Sequence, residues 1–243
     1  TTLTDGKRYQ QYIKIEKENE RNDFNCDLDS YIDVTKTNSI FLNYLDSQTK
    51  KYLSKNSNNY FDIRGVATGY LEDAVCFPFF DYEGKFKTAQ IIRYKENGKR
   101  VKEGFNTNWF HSYKPIKKDL GLKEKDKYSV KMDTFFGEHY LKGSNNIVGI
   151  VEAPKTAVIL KEIYPNIDWL ATAGQQNFRN KNLKLLQDKR VVVFPDALGF
   201  CYNEKNESLF HVAKSNIKLS LDWHKIAGEY GFNTCDILDE FGA

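Results

Sequence analysis

Hydrophobic positions in the second half of the chain fall into short, nearly continuous runs that alternate with amphipathic stretches. Three such runs predict strands: NIVGIVEA (146–153), DWLATAG (168–174) and RVVVFPDA (190–197). Helices are predicted at KTAVILKEIY (155–164), NKNLKLLQDK (180–189) and near 209–230, before a last strand in NTCDIL (233–238). Strands that alternate with helices of about 10 residues predict a parallel sheet with helices on both faces.

The first half has a different pattern. Ile40, Phe41, Tyr44 and Leu45 recur at helical spacing and predict a helix, with Thr37 or Asn38 as its N-cap. Residues 74–104 predict two or three antiparallel strands, with turns in DYEGK (81–85) and at Asn97-Gly98. We therefore predict an α/β protein with three parts: a helical arm (1–59), a smaller α+β subdomain (60–145) and a C-terminal parallel sheet with flanking helices (146–243).

Charge is distributed unevenly along the chain. Residues 81–131 carry 14 Lys and Arg against 7 Asp and Glu, so their net charge is 14 − 7 = +7. The segments on either side are each at −2, with 10 − 12 before and 12 − 14 after. This basic segment favours a polyanion as partner, and a solvated lysine-rich face is the alternative.

The cysteines and the apolar runs exclude several classes of protein. Cys26, Cys76, Cys201 and Cys235 lie far apart, so neither a zinc ribbon among them nor a disulfide scaffold is expected. We expect free thiols in a cytoplasmic protein. No apolar run reaches the roughly 18 residues that a membrane helix needs, and the polar first 20 residues contain no secretory segment.

Two predicted strands of the C-terminal half end in carboxylates. Glu152 ends the first strand and Asp196 the third. In a doubly wound sheet such ends can be neighbours, and paired acids there suit Mg²⁺. Spacing alone leaves a second interpretation open, in which Glu152 caps a helix and Asp196 begins a turn.

The order of these elements resembles the toprim domain of bacterial DnaG-type primases, topoisomerases and some nucleases. The matching residues are Glu152 in GIVEAPKTAVIL, Gly174 in LATAGQQNF and Asp196 in VVVFPDALGF. Upstream, FPFFDYEGKFK resembles the FPI-x-D-x-x-G stretch of DnaG-type primases, and FFGEHYL (135–141) resembles the end of their basic subdomain. The resemblance covers roughly residues 60–240 and is greatest to primase-like proteins of bacterial mobile elements.

The resemblance implies a role for each matching residue. Glu152 corresponds to the general acid or base and Asp196 to the first Asp of a metal-binding DxD motif, whereas Leu198 stands at the second Asp. The implied cofactor is Mg²⁺ or Mn²⁺, held by Glu152 and Asp196 with Glu204, Glu207 or Asp222 as further candidate ligands. Full primases also carry a zinc ribbon and a helicase-binding region, which we do not recognise in this sequence, so we expect a catalytic core or a reduced relative.

Candidate nucleic-acid ligands are concentrated in the predicted hairpin. Cations that neutralise phosphates are interleaved there with aromatic residues that stack on bases or fill a core: Lys85, Lys87, Arg93, Lys95, Lys99 and Arg100, with Tyr82, Phe86, Tyr94, Phe105 and Trp109. In a regular register Lys87 and Arg93 share a face, and the resemblance makes them candidates for template or nucleotide contact. Lys155, at the start of the first toprim helix, is a candidate phosphate ligand or else an ordinary exposed lysine.

The predicted function is that of a primase-like protein that acts on single-stranded DNA and nucleotides with Mg²⁺. A replicative helicase is a further candidate partner. Two alternatives stay open: a nucleic-acid-binding module with weakened or lost catalysis, which Leu198 favours, and a toprim nuclease.

Overall fold

The structure is a computed structural model that describes residues 28, 32–35, 39–52, 61–67, 71–102, 107–112, 118, 134–174, 177–178, 183–195, 223 and 225–234. These residues form one antiparallel and one parallel sheet with helices packed on them. The predicted α/β class is confirmed.

The antiparallel sheet has five strands in sequential order. They are β1 (Val34–Thr35), β2 (Arg64–Val66), β3 (Ala74–Phe80), β4 (Phe86–Arg93) and β5 (Thr107–Trp109). Both predicted turns are present, and the glycines that make them possible, Gly84 and Gly98, have φ of 83° and 72°. Because β1 pairs with β2, residues of the predicted N-terminal arm contribute an edge strand to this sheet.

Helix α1 (Ile40–Tyr52) follows β1 and packs on β3. Its N-cap is Ser39, whose Oγ accepts the N–H of Leu42 at 3.1 Å. The N-cap predicted at Thr37 or Asn38 is therefore wrong, because a serine lies directly before the first helical residue.

The parallel sheet has four strands in the order β7-β6-β8-β9. Its elements are β6 (Ile147–Val151), α2 (Pro154–Ile163), β7 (Ile167–Ala171), β8 (Val191–Val193) and β9 (Asn233–Thr234). Every neighbouring pair is parallel, as predicted. In the range predicted as a helix, 180–189, the description begins at Leu183, which is α-helical and leads into a 3₁₀ turn, Lys184–Leu186. There Leu183 and Leu186 are buried, and this three-residue spacing places both side chains on one side of a 3₁₀ turn.

A shared hydrophobic core joins the two sheets. Phe41 of α1, Phe77 and Phe79 of β3, and Trp169 of β7 belong to one buried cluster, together with Val158 of α2. The opposite face of the parallel sheet buries Ile150 and Leu170 against Trp223. In the part of the chain that the structure describes, no helix is long and apolar enough to cross a membrane.

Gly149 lies at the centre of β6, opposite Trp169 of β7. A Cβ at this position would lie 2.6 Å from the Trp169 ring, so the indole occupies the space that a side chain would need. The close approach of this tryptophan to the backbone therefore requires a glycine at position 149.

We expect Gly149→Ala to lower the free energy of unfolding by about 1–3 kcal/mol, since the added methyl overpacks a rigid ring. Gly228→Ala is the matched control, because a Cβ there meets nothing within 4 Å. That control substitution should be neutral or slightly stabilising. Urea denaturation of both variants measures the difference, and equal midpoints would contradict the assigned packing.

Candidate active site and basic hairpin

Glu152 lies at the carboxyl edge of the parallel sheet, directly after the interior strand β6 and before α2. Its side chain is half-buried, and its backbone carbonyl accepts the N–H of Ala173 at 2.8 Å and the hydroxyl of Thr172 at 3.4 Å. Ligands of open parallel sheets bind at this edge. The structure thus places Glu152 where the sequence predicted it.

The loop after β7 holds the backbone of Glu152 through a strained turn. Ala173 has φ of 56°, a left-handed conformation that costs a non-glycine residue about 1 kcal/mol or more. Gly174 follows with φ of 155°. Asn177 closes the turn, since its Nδ2 donates to the carbonyl of Thr172 at 3.0 Å. The strain is thus offset by hydrogen bonds that fix the loop against Glu152.

Asp196 lies just outside the described residues, as do Leu198, Glu204, Glu207 and Asp222. The chain is described as far as Pro195, and β8 pairs with β6 so that Val193 lies opposite Ile150. The N–H of Phe194 donates to the carbonyl of Ile150 at 2.8 Å, which continues this pairing beyond β8. Pro195, the residue before Asp196, therefore follows β8 closely. Strand β8 lies next to β6, which is directly followed by Glu152.

Among the described residues, no group of three or more His, Cys, Asp and Glu side chains is placed to hold a metal ion. Magnesium, however, often takes only one or two protein carboxylates and completes its shell with water and phosphate oxygens. Glu152 can supply one carboxylate to such a site, and the second predicted ligand, Asp196, lies outside the described residues. The predicted metal ligation by Glu152 and Asp196 therefore stays a prediction.

The six cations predicted to bind nucleic acid form two groups at opposite ends of β4. Lys85 and Lys87 lie at its start, whereas Arg93 ends the strand and is followed by the exposed Lys95, Lys99 and Arg100. The strand separates the groups by about 20 Å, at about 3.3 Å for each of the six residue steps from Lys87 to Arg93. They therefore form two surfaces rather than one patch.

The regular register assumed for Lys87 and Arg93 is interrupted. Phe80 pairs with Phe86 but Phe79 pairs with Thr88, so Lys87 is the extra residue of a bulge. Its Nζ lies 4.0 Å from Asp81. Because a bulge breaks the alternation of side chains, the condition for a shared face with Arg93 is not met.

Arg93 borders an open cleft of about 710 Å³ beside the hairpin. Its guanidinium donates to the backbone carbonyl of Glu72 at 3.0 Å. The cleft has mixed charge, since Glu72, Asp73 and Glu96 line it together with Arg93 and Lys95. The mixed charge makes this cleft poorly suited to a polyanion.

Most of the aromatic residues considered for base stacking fill the core. Tyr94 is buried, with only 5% of its surface exposed, and Trp109 packs against Phe79. Phe86 packs edge-to-face against Phe110, with the two ring centroids 5.4 Å apart. Tyr82 is partly buried against the core of the parallel sheet, and Phe105 lies outside the described residues.

Lys155 faces the hairpin. Its Nζ donates to the carbonyl of Gly98 at 3.0 Å and lies 5.6 Å from the centroid of the Tyr94 ring. Burial lowers the pKa of Lys155, because a charged ammonium loses hydration there. A phosphate contact by Lys155 stays a prediction. In the structure this side chain connects α2 of the parallel sheet to the hairpin of the antiparallel sheet.

Two carboxylates outside the predicted site proved to be buried and hydrogen-bonded. Glu138 accepts the N–H of Tyr82 at 3.1 Å on Oε1 and that of Phe135 at 2.9 Å on Oε2. Asp168 accepts Nδ2 of Asn146 at 3.1 Å and lies 3.7 Å from the ammonium of Lys161. No sequence pattern indicated either role, because Glu138 bonds to a residue 56 positions away.

The described histidines are engaged in packing. Nδ1 of His111 lies 2.8 Å from the hydroxyl of Thr88, and the ring stacks on Trp109. His139 packs against Phe80 and Tyr140, and burial lowers its pKa to about 4. In the sequence, neither histidine has a carboxylate or cysteine at metal-ligand spacing. The packing of both rings also favours a structural role.

A family model described as "Domain of unknown function (DUF6371)" matches residues 39–197 of the chain. No curated protein matches this chain.

Among solved structures, this chain is similar to a chain in the structure of a complex. That structure is described as bacteriophage T7 lagging-strand DNA polymerase interacting with primase domains of two gp4 subunits bound to an RNA/DNA hybrid and dTTP. The identity is 12% and the TM-score 0.37, over 72% of each chain. It is also similar to the zinc-binding and RNA polymerase domains of the Aquifex aeolicus primase, with 18% identity and a TM-score of 0.36. That match covers 81% of this chain but only 42% of the Aquifex chain. Both are distant likenesses.

Proposed function

The chain belongs to the DUF6371 family, and we propose that within it this protein is a primase-like toprim protein acting on single-stranded DNA and nucleotides. The proposed reaction is RNA primer synthesis or a related phosphoryl transfer with Mg²⁺ or Mn²⁺. The sequence motifs around Glu152, Gly174 and Asp196 support this activity.

The observation that carries the proposal is the position of Glu152. It directly follows an interior strand of a parallel sheet, and the adjacent strand β8 leads towards Asp196. We assign Glu152 the role of general acid or base and Asp196 that of metal ligand. Metal binding and action as a general base both need an ionised carboxylate.

A divalent ion bound by these carboxylates would neutralise phosphate charge during transfer. The remaining positions of its shell would be filled by water and phosphate oxygens. The exposed cations Lys95, Lys99 and Arg100 would hold the backbone of the nucleic acid nearby. A replicative helicase remains a candidate partner.

A second candidate function is that of a binding module without catalysis. It is favoured by Leu198, which stands where the toprim pattern has its second metal-binding Asp. A toprim nuclease would use the same carboxylates with water as the attacking group.

The deciding experiment incubates labelled single-stranded DNA with Mn²⁺, with and without ribonucleotides. Extension products that require ribonucleotides would support the primase, and shortened strands without them would support the nuclease. Binding without either product would support the non-catalytic module. No binding and no product would overturn all three proposals.

Binding of single-stranded DNA should weaken steeply with salt, because phosphate contacts release counterions. We expect replacing Lys95, Lys99 and Arg100 together by Ala to reduce the slope of log affinity against log salt by about 2, at about 0.7 for each phosphate contact on a single strand. Fluorescence anisotropy with an oligothymidylate measures this slope.

The control for this charge removal replaces two exposed cations elsewhere, Lys184 and Lys225, by Ala. These changes should leave the slope as in the parent. A triple variant with the parental slope would show that the hairpin tip (residues 94–101) does not contact phosphates. The surface to test next would then be the other end of β4, at Lys85 and Lys87.

A further inference from the structure

The tip of the β4 hairpin is held between two helices. Gly98, with φ of 72°, is buried under α1, because a Cβ there would lie 2.5 Å from the Tyr44 ring. On the other side its carbonyl accepts the ammonium of Lys155, at 3.0 Å. One residue of the tip thus contacts both α1 and α2.

The three cations of the tip are fixed to Gly98 by the backbone. The N–H of Lys95 donates to the carbonyl of Lys99 at 2.8 Å, and the N–H of Gly98 donates to that of Lys95 at 2.9 Å. Tyr94 and Arg100 form a β-bridge below them. A hydrogen-bonded tip of this kind moves as a unit, so anchoring Gly98 also anchors Lys95, Lys99 and Arg100.

Lys155 connects this unit to the proposed catalytic edge. It is the second residue of α2 and lies three positions after Glu152. Its ammonium is placed over the face of Tyr94 as well as on the Gly98 carbonyl, and both contacts favour the charged group in a half-buried position. Lys155 therefore gives a direct link between the hairpin that carries the cations and the helix that follows Glu152.

We propose that Lys155 is a positioning residue that docks the basic hairpin on α2 and sets where a bound strand lies relative to Glu152. This role rests on the proposed function. Positioning of this kind matters because a displacement of about 1 Å at a reacting centre can reduce the rate about a hundredfold. It differs from a direct phosphate contact, in which the ammonium would touch the nucleic acid itself.

The docking is tested by hydrogen exchange of residues 94–101 in the full chain. Lys155→Met nearly keeps the length of the side chain but removes the charge and the hydrogen-bond donors. Lys155→Arg keeps the charge and the donors. We expect exchange of the tip to rise about tenfold in Lys155→Met, as for the loss of one charge-assisted hydrogen bond, and to return towards the parent in Lys155→Arg. Lys184→Met, at an exposed site, is the control.

Three results would overturn the docking. One is exchange of the tip in Lys155→Met equal to that of the parent. Another is a rise of similar size across the whole chain, which would indicate general destabilisation. The third is a failure of Lys155→Arg to restore protection.

The positioning of a bound strand is tested by oligothymidylate binding across a range of salt. If Lys155 is a positioning residue, Lys155→Met should weaken binding about three- to tenfold and leave the salt slope unchanged. Lys155→Arg should recover the affinity. A slope lower by about 0.7 would make Lys155 a phosphate ligand and overturn the positioning role. A parent protein that binds no oligonucleotide would overturn the proposed function and the positioning role together, while the exchange data would still decide whether Lys155 docks the hairpin.

Discussion

Glu152→Gln is expected to lower the rate of primer synthesis by about 10²- to 10⁴-fold and to leave the free energy of unfolding nearly unchanged. An amide can neither transfer a proton at this position nor present a full negative charge to a metal ion. Stability should be kept because the loop after β7 is held by the backbone carbonyl of Glu152, which the substitution retains. Primer extension and thermal denaturation of the same preparation measure the two effects.

The control for this prediction is Glu229→Gln, at an exposed site on the described C-terminal helical segment. It removes the same charge and should change neither measurement. Asp196→Asn should behave as Glu152→Gln does. Full activity in either site variant would exclude the carboxylate pair from the reaction.

Leu198→Asp completes the test of the site, because it introduces the residue that the toprim pattern has there. We expect tighter Mn²⁺ binding by calorimetry if Leu198 occupies the position of a ligand. A folded variant with the parental affinity for Mn²⁺ would show that the loop has left the toprim geometry.

Glu138→Ala is expected to lower the free energy of unfolding by about 3–5 kcal/mol. The side chain is buried, with 6% of the residue exposed, and its two oxygens accept backbone N–H groups from separate segments, at Tyr82 and Phe135. Alanine would leave the buried N–H of Phe135 and the partly buried N–H of Tyr82 without these acceptors, at about 1–3 kcal/mol each. Urea denaturation of the full chain measures the loss.

Glu83→Ala is the control for Glu138→Ala, because Glu83 lies in the neighbouring turn and is exposed, with an ion pair to Lys142. An exposed pair of this kind contributes at most about 1 kcal/mol. Glu138→Gln should be intermediate, since its amide oxygen can accept only on one side. Equal stabilities of Glu138→Ala and Glu83→Ala would show that the buried contacts of Glu138 contribute nothing measurable.

The sequence predicted the parallel sheet well because local pattern and tertiary environment agree there. The apolar runs that end at Val151 and Val193 are strands buried on both faces, and continuous hydrophobicity is what such burial requires. The Asn97-Gly98 turn was predictable for a similar reason, since only a few residues tolerate a positive φ.

The prediction was weaker where distant contacts decide the structure. The apolar spacing of residues 180–189 predicts a helix through to Lys189, whereas the helical Leu183 is followed by a 3₁₀ turn that ends at Leu186. Lys155 has no sequence feature that indicates a carbonyl partner 57 positions away, and Glu138 has none that indicates Tyr82. A periodicity describes which side of an element is buried and carries no information on which distant group it meets.

The strand order of the parallel sheet also has a consequence for how the chain folds. Strands β6 and β7 pair across 20 residues, from 147 to 167, with α2 between them. Pairing of β8 with β6 spans 43 residues, from 148 to 191, and that of β9 with β8 spans 41, from 192 to 233. Because the entropy lost on closing a loop grows with its length, the β6-α2-β7 unit should form before the two longer pairings, whose spans are nearly equal. A nascent chain released before residue 233 would therefore expose β8 as an unpaired edge and be prone to aggregate.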